Sequence, residues 1–355
     1  MIDLLSLDKK DMELLMEKAG FPTFRGRQVF QWCHEKEVQS FDLMKNLPKD
    51  LKLWLTENAT LGSGKKIKAI QGNDDETVKF LLEFPDNVMV ETVLMSYHRE
   101  KARNRNTLCL STQSGCNLKC KFCASTINGL KRNLTAGEIV EQVNFANRYL
   151  KSKNKQCVTN VVFMGMGEPL QNLDAVIKAI GILNEGKNIG MRRITVSTCG
   201  LIPEIDKLAE MKFQFTLAVS LHAPNNEIRD KLMPINRKYP VEQLITSIDN
   251  YIAKTTRRVT IEYALFKGVN DSDETAYLLA ELLKGKLINV NIIPGNPVAE
   301  TGLLRGEMPQ VERFAEILVN QGIEAFVREP RGLDIDGACG QLRNKQINND
   351  KNQNI

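Results

Sequence analysis

Cys116, Cys120 and Cys123 lie in the string GCNLKCKFC, a C-x3-C-x2-C spacing with Phe122 directly before the last cysteine. Three thiolates this close in sequence can converge on one inorganic centre. Thiolate is the soft ligand of iron–sulfur clusters, and a cubane normally takes four. No fourth cysteine follows in the local run. One iron of a cubane held here would keep an open position, and an open metal position is where chemistry happens. The competing reading is a structural zinc site. Such sites close with four ligands in paired motifs, and no partner pair is nearby.

Other chemistry-bearing groups recur downstream. In GMGEP (165–169), glycines let the backbone approach a ligand closely, and Glu168 can accept hydrogen bonds from a ligand amine. Taken alone, that string also reads as a turn. VSTCG (196–200) offers Ser197, SLHAP (220–224) offers Ser220, Leu221 and His222, and IPGNP (293–297) offers Asn296. Each alone reads as a cap or turn. Their recurrence after successive strand patterns points to a ligand pocket.

Two more cysteines stand apart. Cys339 sits between glycines in the polar string GLDIDGACGQL (332–342), a poor place for core packing and a good one for reactivity. Cys109 precedes the cysteine motif in a strand-like run, where a buried structural thiol is equally consistent. Cys33, Cys157 and Cys199 have no pairing or ligand context and read as structural. Arg99, Lys101, Arg103 and Arg105 come just before that strand, and Lys119, Lys121, Lys131 and Arg132 surround the cysteine loop. Cations at this density attract phosphates, although any single run also reads as a solvated loop.

These groups need a scaffold. Residues 1–75 read as a small helical module, with helices over 9–18 and 26–35 and a third after Pro48, closed by a basic linker carrying Lys65, Lys66 and Lys68. Ser6 is placed to cap the first helix. Residues 76–106 read as a β-hairpin, with strands over 77–84 and 88–97, and a basic linker. From 107 to 342 strand and helix patterns alternate. Strands are expected at 107–111, 158–164, 194–197, 213–220, 259–264, 290–293 and 325–328. Helices follow the first six of them, which implies parallel strands joined by helical crossovers. The fold class is α/β, an incomplete TIM-like barrel of about six βα units with a small N-terminal helical domain. A doubly wound sheet fits the same alternation. Residues 343–355 are polar and aperiodic and read as a disordered tail.

Composition narrows the class. The 355-residue chain is 42% hydrophobic and 26% charged, with a formal net charge of +5. That is an ordinary globular balance with a mild excess of positive charge, compatible with an acidic partner such as RNA. Eight cysteines in a chain this long do not form a secreted disulfide pattern. The acidic N-terminal segment lacks the apolar core of a signal peptide, and no charge-free run approaches bilayer length. A cytoplasmic enzyme with no membrane association is expected.

The cysteine spacing resembles the signature of the radical S-adenosylmethionine (SAM) superfamily, in which SAM chelates the open iron of a [4Fe-4S] cluster. The chain as a whole resembles the RlmN/Cfr family of RNA methyltransferases. The matching strings are VETV (90–93), GCNLKCKFCAST (115–126), GLKRNL (129–134), MGMGEPL (164–170), VSTCG, SLHAP, LMPIN (232–236), GVND (268–271) and DIDGACGQL (334–342).

The resemblance implies methyl transfer to a ring carbon of adenine that is no nucleophile. It implies two SAM molecules per turnover and a cluster on Cys116, Cys120 and Cys123. Cys339 would first take a methyl group from one SAM. A radical generated from the second would activate that methyl for addition to the base. Cys109 would release the product by pairing with Cys339, and Glu91 would remove the ring proton. Gly167, Glu168, Ser197, Ser220, Leu221, His222 and Asn296 would contact SAM; a barrel-rim histidine with a structural hydrogen bond is the other reading of His222. The implied partners are 23S rRNA, tRNA and an electron donor such as flavodoxin or ferredoxin, acting on a monomer. Pro169 after MGMGE matches the C2-methylating branch, and the C8-methylating branch is the alternative. A third reading, a metal-containing RNA-binding protein without activity, leaves Cys109, Cys339 and Glu91 without a purpose. Gly337 departs from the family pattern, where alanine is common.

Overall fold

The computed structural model describes residues 1–74, 76–97 and 104–343. Three helices build the N-terminal domain: α1 (Lys9–Lys18), α2 (Phe24–Phe30), which runs on through a π-helical turn at Gln31–Glu35, and α3 (Lys49–Asn58). The cap of α1 is Asp8, not Ser6. Asp8 and Asp11 form a reciprocal capping box, which satisfies two otherwise orphaned backbone donors. Ser6 instead accepts from the Gly137 amide at 2.9 Å and so ties this domain to its neighbour. Leu4, Met12, Met16, Phe30, Leu51 and Leu55 form a separate small core.

A ten-stranded sheet forms the rest of the frame. Its strands are β1 (Lys65–Gln71), β2 (Thr77–Glu83), β3 (Met89–Tyr97), β4 (Arg105–Cys109), β5 (Asn160–Phe163), β6 (Ile194–Thr198), β7 (Thr216–Ser220), β8 (Val259–Leu265), β9 (Ile288–Pro294) and β10 (Ala325–Val327). They lie in sequential order across the sheet, β1 to β4 pairing antiparallel and β4 to β10 parallel. The basic segment around Lys65 is therefore an edge strand, not a linker. Its side chains are mostly exposed, and lysines on an edge discourage pairing with other chains.

The parallel strands alternate with α4 (Ala136–Ser152), α5 (Leu173–Lys187), α6 (Ile202–Met211), α7 (Asn226–Leu232) and α8 (Val241–Thr255), α9 (Asp273–Leu283) and α10 (Met308–Asn320). Six crossovers join seven parallel strands, an α/β fold with a parallel-rich central sheet. Helix α7 had no apolar period long enough to show in the sequence. The sheet does not close, since β10 and β1 are its two edges. Residues 328–343 cross the gap instead. Arg331 pairs with Glu76 and donates to the Ser96 carbonyl, and Lys79 donates to the Asp336 carbonyl at 3.3 Å. No described helix is long and apolar enough to cross a membrane.

The two domains meet around Glu37. Its carboxylate accepts from Asn147 at 2.6 Å and from Lys187 at 2.9 Å on one oxygen, and from Lys151 at 2.7 Å on the other. Arg99, Lys101, Arg103 and the tail beyond Arg343 lie outside the described residues.

Candidate active site

The cysteine loop leaves β4 at the C-terminal edge of the parallel strands, where barrel enzymes collect their reactive groups. Gly115 makes the turn with φ +79°, and a Cβ there would lie 1.8 Å from the Gly129 carbonyl oxygen, so only glycine fits. The loop is pinned from both sides. The Lys121 amide donates to the Leu232 carbonyl at 2.8 Å, and the Ala124 amide to the Gly340 carbonyl at 2.6 Å.

Cys116, Cys120 and Cys123 line one cavity of about 400 Å³, together with Cys109, Cys339, Gly167, Glu168, Ser197, Ser220, His222 and Asn296. All eight cysteines are free thiols. Burial pushes the Cys116 thiol up to about 12 and raises Cys120 and Cys123 as well, with the thiols' mutual repulsion adding to it for Cys116 and Cys120. A bound cationic centre reverses that preference, because a coordinating thiol is deprotonated outright. Among the described residues no three His, Cys, Asp or Glu side chains converge tightly enough for a single ion. Three soft thiols on one wall fit a cluster held by three protein ligands, whereas a structural zinc closes with four.

The strand exits build the opposite wall. Gly167 has φ +95°, and a Cβ there would come within 2.4 Å of Gln113. Glu168 is buried; its Oε1 accepts from the Leu170 amide at 3.1 Å and its Oε2 from the Cys199 amide at 2.9 Å. Burial raises its pKa and these hydrogen bonds oppose the rise. Asn296 Oδ1 is buried without a hydrogen-bond partner among the described residues. An anchored carboxylate, a glycine cradle and an orphaned amide oxygen together suit a ligand carrying amine or hydroxyl donors, and SAM is one.

His222 holds an unusual backbone, with φ +57°. Its Nδ1 accepts from the Ala264 amide at 2.9 Å, so the neutral ring carries its hydrogen on Nε2. Burial, helped by Arg229, lowers its pKa to about 3. The ring meets Phe122 edge-on at 4.8 Å. His222 thus makes a structural hydrogen bond and also faces the cavity. Leu221 is fully buried and is not among the cavity-lining residues.

Glu91 lies on β3, outside the cavity lining. Its Oε1 is 3.2 Å from Lys79 Nζ, both side chains being buried, and its Oε2 accepts from the Arg343 amide at 2.8 Å. The C-terminal loop is thus bonded directly to this carboxylate. Cys339 is exposed within that loop. Its thiol is raised mainly by desolvation, with Glu262 adding to the rise and Arg328 opposing it. Cys109 and Cys339 line the same cavity.

The comparisons agree with this geometry. Residues 110–280 match the family model described as the Radical SAM superfamily, and residues 2–61 match that of the ribosomal RNA large subunit methyltransferase N-terminal domain. A probable dual-specificity RNA methyltransferase RlmN from Clostridium novyi is 45% identical, over 98% of this chain and 100% of its own length. One from Desulfitobacterium hafniense is 46% identical, over 96% of each chain. The chain belongs to the RlmN family of radical SAM RNA methyltransferases. A solved radical SAM methyltransferase from Sphaerobacter thermophilus superposes with a TM-score of 0.91 at 45% identity, covering 97% of this chain and 99% of that one.

Two residues of this RlmN-family site escaped the sequence reading. Arg229 is fully buried and gathers the strand exits. It donates to the carbonyls of Cys199 at 2.7 Å, Leu221 at 3.1 Å and Ser220 at 3.3 Å, and to Asn236 Oδ1 at 3.1 Å. Its place between SLHAP and LMPIN was the available signal. Cys199, read as structural, lines the cavity and hydrogen-bonds to Glu168 through its side chain.

Proposed function

We propose that this enzyme methylates C2 of an adenine in 23S rRNA and of the adenine beside the anticodon in tRNAs, through a methylated cysteine. The observation that carries the reading is the meeting of Cys109, Cys339 and the three-cysteine loop on one cavity. A binding protein needs no such meeting.

Cys116, Cys120 and Cys123 would hold a [4Fe-4S] cluster, which when bound supplies the electron that cleaves SAM to a carbon radical. Glu168, the Gly167 backbone and Asn296 would orient SAM, with Ser197, Ser220 and His222 completing the wall. The Cys339 thiolate takes a methyl group from another SAM, which leaves as S-adenosylhomocysteine, and Arg328 favours that thiolate. The SAM-derived carbon radical would remove one hydrogen atom from that methyl group, and the resulting methylene radical on Cys339 would bond to adenine C2. Glu91 takes the displaced ring proton once Arg343 withdraws from its Oε2. The Cys109 thiolate then attacks Cys339 Sγ and forms a transient disulfide; the electron pair of the broken S–CH2 bond stays on the methylene carbon, which takes a proton to become the methyl group, while the one surplus electron of the adduct would return to the cluster. The enzyme works as a cytoplasmic monomer, in a reducing compartment that spares the cluster, with flavodoxin or ferredoxin as electron donor.

The test is anaerobic turnover with SAM, a reductant and a 23S rRNA fragment, followed by nucleoside mass spectrometry. 2-Methyladenosine is expected. 8-Methyladenosine would place the enzyme in the other branch, and SAM cleavage without methylated RNA would show the substrate to be wrong.

A further inference from the structure

The cavity has a second end. The cysteine loop, Glu168 and His222 occupy the C-terminal edge of the parallel strands. Yet the same cavity is also lined by Tyr97, Arg105, Arg192, Arg193 and Arg331. Arg105 opens β4, and Arg192 and Arg193 directly precede β6. Tyr97 ends antiparallel β3, paired with Arg105. These residues therefore mark the N-terminal edge. The lumen runs from one edge of the barrel to the other.

That far rim is cationic and under-neutralised. Tyr97 is held between two guanidinium groups, Arg105 at 4.1 Å and Arg331 at 4.3 Å from the ring centroid. Stacking on the ring leaves the N–H edges of a guanidinium free to take an anion. Arg105 Nε is buried and has no hydrogen-bond partner among the described residues. Arg192 and Arg193 are exposed and form no ion pair with any described residue. Of the four arginines, Arg331 alone forms an ion pair with a described residue, Glu76.

The rim leads to the chemistry. Arg105, Thr107 and Cys109 all line the cavity, as alternate residues on one face of β4. At about 3.3 Å per residue they span roughly 13 Å. One extruded nucleoside and a guanidinium bridge such a distance. Cys109, at the inner end, shares the cavity with Cys339. A base that is to be modified in folded RNA must be splayed out of its stack, and a through-going lumen with a phosphate-binding mouth suits that need.

We propose that RNA enters the lumen from the edge opposite the cysteine loop. Arg105, Arg192, Arg193 and Arg331 hold its backbone phosphates, and the target adenosine extends along β4 toward Cys109 and Cys339. The inference rests on the reading of the enzyme as an RNA methyltransferase, and it adds the entry side and the residues that grip the strand. An acidic electron-donor protein is a different occupant for a cationic rim. RNA is favoured because the rim opens onto the two cysteines that process the base, whereas the cluster ligands lie at the other edge.

The test compares the wild-type enzyme with an Arg192→Gln/Arg193→Gln variant, with iron per chain as the folding control. Fluorescence anisotropy with a tRNA anticodon stem-loop and a 23S rRNA fragment gives Kd across a salt series. Affinity is expected to fall about tenfold or more, and the log Kd against log salt slope to shrink by about 0.7 for each single-strand phosphate that the variant no longer neutralises. Arg192→Lys/Arg193→Lys is expected to restore most of the affinity. Unchanged Kd and slope, in an enzyme whose wild-type form methylates RNA, would overturn the port alone. Unchanged Kd with turnover lost under flavodoxin but kept under dithionite would assign the rim to the reductant and overturn it too. Loss of RNA binding in the variant, with no methyladenosine from the wild type, would leave the port standing and sink the methylation reading instead.

Discussion

The Asn296 side-chain amide donates to the Cys339 carbonyl at 2.9 Å while its own Oδ1 stays buried and unpartnered among the described residues. The residue at the exit of β9 thus holds the backbone of the exposed cysteine and keeps one acceptor in reserve. Asn296→Ala removes a hydrogen bond worth about 1 kcal/mol, so the loop opens several-fold more often. Amide hydrogen exchange across residues 332–342, resolved by peptide mass spectrometry, is expected to accelerate by about fivefold. An unchanged rate would mean that this hydrogen bond does not hold the loop.

Gly337 needs no glycine. A Cβ built there meets Ile335 Cγ1 at 3.3 Å and the Gly332 carbonyl oxygen at 3.4 Å. Both approaches are tight but tolerable, and Gly337 is not among the glycines with positive φ. Gly337→Ala is therefore expected to fold and methylate normally. Restriction of the unfolded chain adds about 0.4–1 kcal/mol, less whatever the approach to Ile335 costs. A drop of more than about 1 kcal/mol in urea unfolding at equal iron content would show that the loop uses backbone freedom at this position.

The particular residues explain what was readable. The cysteine motif and the strand-exit strings were legible because each is local: spacing alone brings Cys116, Cys120 and Cys123 to one wall. The alternation of strands and helices was legible because the parallel strands are covered on both faces, as β8 is at every residue, and so are rich in apolar side chains. Arg229 was not legible, because its worth lies in carbonyls contributed by two separate strand exits. Nor was the strand at Lys65–Gln71, whose exposed edge shows no apolar face. The pairing of Glu91 with Lys79 follows from neighbouring antiparallel strands, and its bond to Arg343 spans 252 residues of chain.

That pairing gives the third prediction. Lys79→Met leaves a buried carboxylate at Glu91 with only the Arg343 amide to satisfy it. Breaking one partner of a buried ion pair typically costs about 3–5 kcal/mol. The double variant Lys79→Met/Glu91→Leu is expected to recover much of that stability, because no unpaired charge remains. Both are read from the urea midpoint. A single variant as stable as the wild type would show that the pair is not desolvated. Methylation tells the roles apart: Glu91→Gln should stall turnover even where the protein stays folded.

Glu141 of α4 supplies a pH-dependent clamp on the loop that joins the two domains. Its Oε2 accepts from the Ser63 amide at 3.2 Å and the Gly64 amide at 3.0 Å. Burial, aided by nearby Asp3, pushes its pKa from an ordinary 4.5 up to about 7, against the pull of those amides and of Arg148. Between these two values the folded chain keeps a proton that the unfolded chain has released, so folding stability falls as pH rises through the window. The contribution is full below about pH 4.5 and gone above about pH 7, with an upper bound of about 3 kcal/mol at 1.36 kcal/mol per unit. Glu141→Gln keeps an acceptor for both amides and carries no charge. Its unfolding free energy is expected to lose this part of the pH slope, leaving it more stable than the wild type at pH 8. Parallel pH profiles for the two proteins would show that Glu141 ionises equally in both states and that the clamp has no pH dependence.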